Sequence, residues 1–399
     1  MGEASWLTSE QAAARLGVKL QTLYAYVSRG QLTSEPVPGT RRSRFRKGEV
    51  ERLAAGRRAG GRAGQLEVVI ESELTLLDPA GRLAYRGWDA TDAARSSSFE
   101  QVASWLWHGE RTAGSFAAVP ALVDAARPAV EALVALGSVD RARVAVLAMR
   151  TADPLRNDRR PQAVAATGRS LIGSLVDVLG PCDLAAEGLI AARLWPTLGP
   201  TLGPTPPAAD GLAILDALLV LLADHELAAS TMAVRMAAST WADPYLCVSA
   251  GLAALGGPLH GGATERARRL LRDADETTAA RAIGDRLAAG EHVPGFGHRV
   301  YTGRDPRADF LLVRLEEVGA LPPAARGVLD VMHDRNLPCP NVDFAIAAIA
   351  EAYRWDEGAG ETVFAIARTA GWLGHAAEEY AHRLRYRTRA AYIGPPLED

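Results

Sequence analysis

The sequence predicts an all-α protein in which a large helical body follows a small basic domain. After residue 66, apolar residues recur mostly at i, i+3 and i+4, a spacing typical of amphipathic helices, and strand-like alternation is scarce. The sign of the net charge also changes near residue 65. Residues 1–64 hold 12 Lys and Arg against 5 Asp and Glu, a surplus of +7 that leaves −10 for the rest of a chain of net charge −3. A basic head on an acidic body indicates a module that faces nucleic acid.

The composition excludes several classes of protein. With 48% hydrophobic and 23% charged residues, the 399-residue chain can bury a sizeable core like an ordinary soluble protein. No apolar run reaches the roughly 18 residues of a membrane span, and the start lacks the basic-then-apolar order of a signal peptide. The three cysteines (Cys182, Cys247 and Cys339) are far apart and show no metal-binding spacing. We therefore expect a cytoplasmic protein with no membrane segment and no metal site.

The basic head has the pattern of two short helices joined by a turn. Thr8 and Gln11 fit a capping box that begins a first helix, and a Gly-Val pair follows it. Residues 19–29 read as a second helix, which Gly30 would end. Two such helices across a glycine turn predict a helix-turn-helix.

A hairpin wing and a closing helix are expected next. Pro38-Gly39 is a turn signal, residues 49–58 read as a helix, and five basic side chains would face phosphates: Arg41, Arg42, Arg44, Arg46 and Lys47. Over about residues 5–56 this stretch resembles the MerR/excisionase-type winged helix-turn-helix. The resemblance implies DNA binding through residues 1–58, with Gln21, Thr22 and Tyr24 as groove-facing candidates. A helical appendage with a solvated basic face is the alternative.

The main domain boundary is predicted at a glycine-rich linker. Its sequence, RRAGGRAGQ, is flexible by composition, and we place a head at residues 1–58, a linker at 59–65 and the body at 66–399. Residues 65–77 could form a strand or two, and a proline-rich loop precedes residue 211. The clearest helical segments of the body are residues 99–107, 119–136, 142–151, 171–179 and 211–224.

Polar residues interrupt this helical body at a few glycine-rich or apolar places. His260 lies in GPLHGG and His298 in VPGFGHRVY, while Asp343 stands at the start of an apolar helix. Taken singly, the histidines could be caps or core groups, and Asp343 could cap a helix. Taken together with His225 and late arginines, they are the groups needed for carbon–carbon chemistry on an anionic substrate.

At these residues the sequence resembles the citrate synthase family, including the 2-methylcitrate synthases. The similarity covers residues 66–399 and rests on separated motifs in order: LADHELAASTMAVRMAAST, GPLHGGA, VPGFGHRVYTGRDPRAD and PNVDF. It implies a homodimer with shared active sites and a citrate synthase fold. The large domain would comprise residues 66–259 and 350–399, and the small domain about 260–349.

The resemblance also implies substrates and catalytic roles. Oxaloacetate and an acyl-CoA would be substrates, acetyl-CoA entering as co-substrate with no tightly bound cofactor. Asp343 would take a proton from the acyl group, His260 would stabilise the enolate, and His298 would protonate the ketone of oxaloacetate. An aspartate of ordinary pKa, about 3.9, is a poor base for so weak a carbon acid, so the oxyanion needs a preorganised donor in a dry site. A neutral His260 at a helix start would be such a donor.

Further residues would hold the two substrates. His225, Arg307 and Arg368 match oxaloacetate-binding residues of the family, and Arg387 matches the arginine supplied across the dimer. The adenine-recognition loop for CoA corresponds to Val293, Pro294, Gly295 and Phe296.

Three positions depart from the family pattern near the site: Ala228, Thr264 and Thr388. They bear on rate and on acyl-chain choice, and they leave other functions open. One alternative is a DNA-binding regulator whose synthase-like domain senses CoA thioesters or oxaloacetate. Another is a condensing enzyme for a different acyl-CoA. The complete set of His260, His298 and Asp343 favours catalysis, because binding alone does not require a base.

Overall fold

A computed structural model describes most of the chain and divides it into two compact units, Met1–Glu71 and Ser72–Asp399. The described residues are 6–16, 18, 20–28, 32–37, 43–47, 49–50, 70–133, 135–180, 188–199, 209–258, 260–274, 278–382, 384 and 386–387. The predicted linker, most of the predicted helix 49–58, Arg41, Arg42 and Thr388 lie outside them, as does the proline-rich loop. The division of the second unit into a large and a small domain stays a prediction.

The first unit is a helix-turn-helix with a three-stranded sheet. Its elements are β1 (Trp6–Thr8), α1 (Ser9–Leu16), α2 (Leu20–Ser28), β2 (Ser34–Pro36) and β3 (Ser43–Arg46), and the antiparallel strand order is β1-β3-β2. The capping box is confirmed, since Thr8 N–H donates to Gln11 Oε1 at 3.0 Å and Gln11 N–H donates to Thr8 Oγ1 at 3.2 Å. The β2–β3 pair agrees with the predicted wing, whereas β1 was not predicted.

The core of the first unit joins its helices to its sheet. Leu23 of α2 and Phe45 of β3 are fully buried, and they form one cluster with Ala12, Ala13, Leu16, Leu32 and Val50. A core of this size is small, so the unit depends on few apolar contacts.

The second unit begins with an antiparallel meander of three short strands. These are β4 (Thr75–Asp78), β5 (Arg82–Tyr85) and β6 (Trp88–Asp89), in the order β4-β5-β6. Of the segment 65–77, for which a strand or two was predicted, residues 70–74 form no strand and the pairing of the described residues starts at Thr75, opposite Tyr85. Local alternation identified one arm of the meander but not its partner.

The rest of the second unit is helical, which confirms the all-α prediction for the body. In the described residues it forms α3 (Ala90–Ser96), α4 (Phe99–His108), α5 (Pro120–Glu131), α6 (Ser138–Ala152), α7 (Pro161–Leu179), α8 (Ile190–Leu194), α9 (Ala209–Leu222), α10 (Ala229–Ser239), α11 (Pro244–Leu255), α12 (Ala263–Asp273), α13 (Ala279–Ala288), α14 (Pro306–Glu317), α15 (Pro323–Asp334), α16 (Val342–Ala352) and α17 (Ala359–Glu379). A 3₁₀ turn, Trp195–Thr197, follows α8.

Several predicted helix bounds were wrong. The segment predicted at 119–136 ends at Glu131, and the one at 171–179 is only the second half of α7. Proline at the first position of α7 fixes its true start, and small residues in its first half hide the apolar period. The segment predicted at 211–224 ends at Leu222, which leaves Asp224 and His225 in the turn beyond the helix.

Helix α17 is the centre of the second unit. It is buried over most of its length and contacts α4, α6, α7, α9, α10 and α11. A Cβ at Gly371 would overlap the carboxylate of Asp224 and the carbonyl of Ala223, so glycine is required for this approach. Helix α17 therefore fixes the position of the segment that carries His225.

Among the described residues, no helix is long and apolar enough to cross a membrane.

Candidate active site

His225 lies in a tight turn that follows α9. Glu226 adopts the left-handed region with φ of 55°, and Asp224 Oδ2 accepts its backbone N–H at 3.0 Å. Asp224 is itself buried and accepts a hydrogen bond of 2.6 Å from Thr75 Oγ1. The Asp224 carboxylate therefore stabilises the turn, although it does not contact the ring of His225.

Two predicted histidines and one tyrosine form a cluster of rings, in which His225 meets the other two edge to face. The ring centroids of His225 and His298 are 5.3 Å apart, and those of His298 and Tyr301 are 4.5 Å apart. His225 Nε2 lies 3.2 Å from the Tyr301 hydroxyl. His225 and Tyr301, which are 76 positions apart, are thus brought into one cluster with His298.

The backbone fixes the tautomer of His298. Its Nδ1 accepts hydrogen bonds from the N–H groups of Val300 and Tyr301, each at 3.0 Å. An accepting Nδ1 places the single proton of a neutral ring on Nε2. Burial and the charge of Arg307 lower the pKa of His298 to about 4. At neutral pH this side chain is therefore an uncharged Nε2–H donor.

Both predicted oxaloacetate arginines are buried. Arg307 makes a bidentate pair with Asp305 at 3.0 and 2.8 Å, and Asp305 also accepts the N–H of Val342 at 3.0 Å. Arg368 donates to the carbonyl of Leu222 at 2.7 Å, and its guanidinium lies 4.7 Å from the Phe364 ring. Burial lowers the pKa of Arg368 to about 10.

The charge of these arginines connects the site electrostatically. Arg307 and Arg368 both lower the pKa of His225, whose largest cause is burial, to well below its usual value. In the described part of the chain no carboxylate forms a direct ion pair with Arg368. Asp305 neutralises Arg307, and the buried Asp224 interacts with Arg368 at longer range. Because no described carboxylate contacts Arg368 directly, its guanidinium can bind an anionic group of a ligand.

His260 stands just before the start of α12. Its Nε2 lies 3.0 Å from the hydroxyl of the fully buried Ser230, and its ring meets Phe364 edge to face at 5.7 Å. Burial first, and then Arg368, lower its pKa to about 4. His260 is therefore neutral and is connected to Arg368 by a shared contact with Phe364.

Asp343 is the second residue of α16 but not its cap. Asn341 caps the helix, accepting the N–H of Asp343 at 3.0 Å, which sets aside the interpretation of Asp343 as a simple cap. The Thr264 hydroxyl donates to Asp343 Oδ1 at 2.8 Å. Burial raises the pKa of Asp343, while Thr264 and Arg307 act in the opposite direction. A carboxyl with a raised pKa is a stronger base than an exposed aspartate.

The loop at Val293, Pro294, Gly295 and Phe296 packs against the start of α16. The Gly295 carbonyl accepts the N–H of Asn341 at 2.9 Å, and the Phe296 ring lies 4.7 Å from that of Phe344. Gly295 has φ of 81°, and a Cβ there would approach the Phe344 Cβ to 2.8 Å. These contacts fix the conformation of the loop next to Asp343, and its role in adenine recognition stays a prediction.

Arg387 is the one predicted site residue that lies apart. It is exposed near the end of the described chain, and no described contact connects it to the other site residues. Several contacting residues were not predicted as site members: Ser230, Thr264, Tyr301, Asp305 and Phe364. Thr264 had a signal, since it departs from the family pattern, and Tyr301 lay inside a quoted motif. Ser230 and Asp305 also lay inside quoted motifs, whereas Phe364 lay in none and meets His260 only through tertiary packing.

Among the residues that the structure describes, no group of three or more His, Cys, Asp or Glu side chains could hold a metal ion.

Comparison with known proteins identifies both units. The family model described as "Citrate synthase, C-terminal domain" matches residues 65–389, and one described as "Helix-turn-helix domain" matches residues 6–58. A citrate synthase of Haloferax volcanii is 31% identical over 82% of this chain and 94% of its own. Citrate synthase 2 of Bacillus subtilis is 30% identical over 78% and 90%, and 2-methylcitrate synthase 1 of Corynebacterium glutamicum is 28% identical over 80% and 91%.

Solved structures show the same fold. The crystal structure of citrate synthase from Pyrobaculum aerophilum has a TM-score of 0.68 at 22% identity and covers 92% of this chain and 96% of its own. A citrate synthase from Thermoplasma acidophilum, solved as a ternary complex with carboxymethyl coenzyme A and oxaloacetate, has a TM-score of 0.67 at 24% identity over 83% and 95%. With a family model that matches most of its length, the chain belongs to the citrate synthase family.

Proposed function

We propose that this chain condenses an acyl-CoA with oxaloacetate, giving citrate from acetyl-CoA or 2-methylcitrate from propionyl-CoA, and releasing CoA. The proposal rests on one carboxylate of raised pKa and two neutral imidazoles, which lie near two buried arginines. Asp343 has a raised pKa, and His260 and His298 have pKa values of about 4. A site that only sensed these ligands would not need a base.

In the first step Asp343 removes a proton from the α-carbon of the thioester. We propose the tautomer in which the Ser230 hydroxyl, 3.0 Å away, donates to Nε2 of His260. Nδ1 then carries the proton and hydrogen-bonds the thioester oxygen as it becomes an enolate. A neutral donor suits this task because it stabilises the developing charge without first protonating the base. Among the residues that the structure describes, no carboxylate raises the pKa of His260 towards the imidazolium form.

In the second step the enol carbon attacks the ketone carbon of oxaloacetate. The Nε2–H of His298, fixed by its two backbone hydrogen bonds, gives its proton to the ketone oxygen as the new C–C bond forms. The proton that Asp343 took from the α-carbon then returns His298 to its neutral form. Water then cleaves the thioester, so that acyl-CoA, oxaloacetate and water give the tricarboxylate, CoA and a proton. No tightly bound cofactor takes part in this sequence.

Oxaloacetate is held by the part of the site that contains the two buried arginines. Arg307 and Arg368 receive its carboxylates, His225 receives the ketone end, and bidentate pairs fix its orientation. Arg387 is exposed in the single chain, which supports its contribution to the site of a second subunit. We therefore propose a homodimer in which each site is completed by Arg387 of the partner subunit.

Release of CoA with oxaloacetate, compared between acetyl-CoA and propionyl-CoA, tests the proposal. Turnover that falls by about 10³-fold or more in Asp343→Asn would support it, and the ratio of kcat/KM values identifies the acyl donor. A folded wild-type protein that binds oxaloacetate or CoA but releases no CoA with either donor would overturn it in favour of a sensor.

We also propose that the first unit binds DNA. On α2, Leu23 is buried in the core while Thr22 and Tyr24 are exposed, and β3 presents Arg44 and Arg46 on the wing. Binding of the full chain to duplex DNA, followed as affinity against salt, should lose about one unit of slope in Arg46→Ala. Arg95→Ala in α3 is a matched control. No salt-dependent binding by the wild type would reject the idea.

A further inference from the structure

The end of the described chain is tied to the buried centre of the second unit. The hydroxyl of Tyr386 donates to Glu379 Oε2 at 2.7 Å and accepts from Arg235 Nε at 3.3 Å. Arg235 and Glu379 are both fully buried, and they pair at 3.0 Å. Two residues before Tyr386, the N–H of Leu384 donates to the Ser239 carbonyl at 2.9 Å. The Tyr386 hydroxyl thus contacts both members of the buried Arg235–Glu379 ion pair.

The same ion pair continues to the oxaloacetate side of the site. Arg235 Nη1 donates to His375 Nδ1 at 2.8 Å, and because arginine is always a donor, the proton of a neutral His375 must lie on Nε2. That Nε2 lies 3.3 Å from Asp224 Oδ2, and Asp224 directly precedes His225. One connected polar chain thus runs from Tyr386, next to Arg387, to Asp224, next to His225.

We propose that Tyr386 is a positioning residue for Arg387: its hydroxyl, docked on the Arg235–Glu379 pair, fixes the backbone from which Arg387 reaches the dicarboxylate. This inference rests on the proposed function. An exposed arginine side chain has much conformational freedom to lose on binding, so a ligand that needs it must supply that entropy unless the backbone that carries it is already ordered. The Tyr386 hydroxyl orders the segment before the ligand arrives.

The role of the hydroxyl can be separated from a general effect on packing. Tyr380 also carries a hydroxyl with protein partners, the Ala242 carbonyl at 2.7 Å and the Cys247 thiol at 3.5 Å, but it lies outside this chain of contacts. Tyr380→Phe is therefore the matched control for Tyr386→Phe. If Tyr386 acts only through stability, the two variants should behave alike.

The decisive experiment is a double-mutant cycle of Tyr386→Phe and Arg387→Ala in the full chain. We expect Tyr386→Phe to raise the KM for oxaloacetate by about tenfold, with the KM for acyl-CoA and kcat nearly unchanged, since a hydrogen bond to a charged group is lost. In the Arg387→Ala background the same change should have no further effect. Equal effects in both backgrounds, or an equal rise in Tyr380→Phe, would overturn the inference.

The two proposals fail separately. If the wild type turns over and the cycle is additive, only the role of Tyr386 is wrong. If the wild type binds oxaloacetate without turnover, the catalytic proposal is wrong, and the same cycle run on the Kd of oxaloacetate decides the inference. Absence of oxaloacetate binding by the wild type rejects both.

Discussion

The hydroxyl of Thr264 donates a hydrogen bond of 2.8 Å to Oδ1 of Asp343, so the proposed base is held by a residue only four positions after His260. Thr264 is buried at the start of α12, and Asp343 is at the start of α16. These two helices pack against each other, and the contact therefore joins the two motifs. Because a β-branched side chain has few rotamers, Thr264 also restricts the orientation of the carboxylate.

Replacing Thr264 with valine should shift the titration of Asp343 to higher pH and leave its carboxylate less firmly oriented. A hydroxyl that donates to a carboxylate favours the ionised form, so its loss raises the pKa of Asp343 beyond the increase due to burial. Catalysis needs the ionised form, and the acid limb of kcat/KM should move to higher pH by about one unit, with kcat lower by about tenfold. Thr264→Ser keeps the hydroxyl and should retain the wild-type profile. Identical acid limbs in the valine and serine variants would contradict the assignment.

His298→Gln tests proton donation by a group of fixed tautomer. Glutamine can still donate a hydrogen bond, but its amide does not transfer a proton, so kcat should fall by about 10²–10³-fold while the KM for oxaloacetate changes far less. Steady-state kinetics with saturating acyl-CoA measure both. His333→Gln in the exposed part of α15 is the control. A variant at His298 with wild-type kcat would remove this residue from the chemistry.

The sequence predicted the chemical groups better than their arrangement. Glycine-flanked motifs marked His260 and His298, and an apolar helix start marked Asp343, because these places combine polar groups with unusual backbone or neighbours. The periodicity of small residues gave poor helix bounds, as in α7. Local signals therefore located the site along the chain but could not show which elements meet.

Contacts that depend on tertiary packing were beyond the sequence. Ser230 lies against His260, and Tyr386 against Arg235, across separations of 30 and 151 residues. Neither pair has a local pattern that distinguishes it from an ordinary buried polar residue. Asp224 was visible in the same motif as His225, but its partner His375 lies 151 residues away in α17.

The buried neutral histidines should make folding stability depend on pH. For His298 the pKa is about 4 in the folded chain, below the unfolded value of about 6.5, so the unfolded state binds more protons as pH falls. The free energy of unfolding therefore falls as the pH decreases from about 6.5 to about 4. We expect the free energy of unfolding to fall between pH 7 and pH 5 by about 1 kcal/mol more in the wild type than in His298→Gln, since solvent screens a partly buried ring. Urea titrations at the two pH values measure the difference, and parallel losses in both proteins would show that His298 is not held neutral by the fold.

The loop beside α16 should tolerate little change at Gly295. Its φ of 81° disfavours an L side chain, and an added Cβ would come within 2.8 Å of the Phe344 Cβ, one residue from Asp343. Strain of about 1–3 kcal/mol is expected for Gly295→Ala, seen as a lower urea midpoint. Since the loop is proposed to receive the adenine of CoA, the KM for acyl-CoA should rise more than the KM for oxaloacetate. Gly303→Ala, where a Cβ would meet nothing within 4 Å and φ is not positive, is the matched control. Equal rises in both KM values would indicate a general distortion of the site and would remove the loop from acyl-CoA recognition.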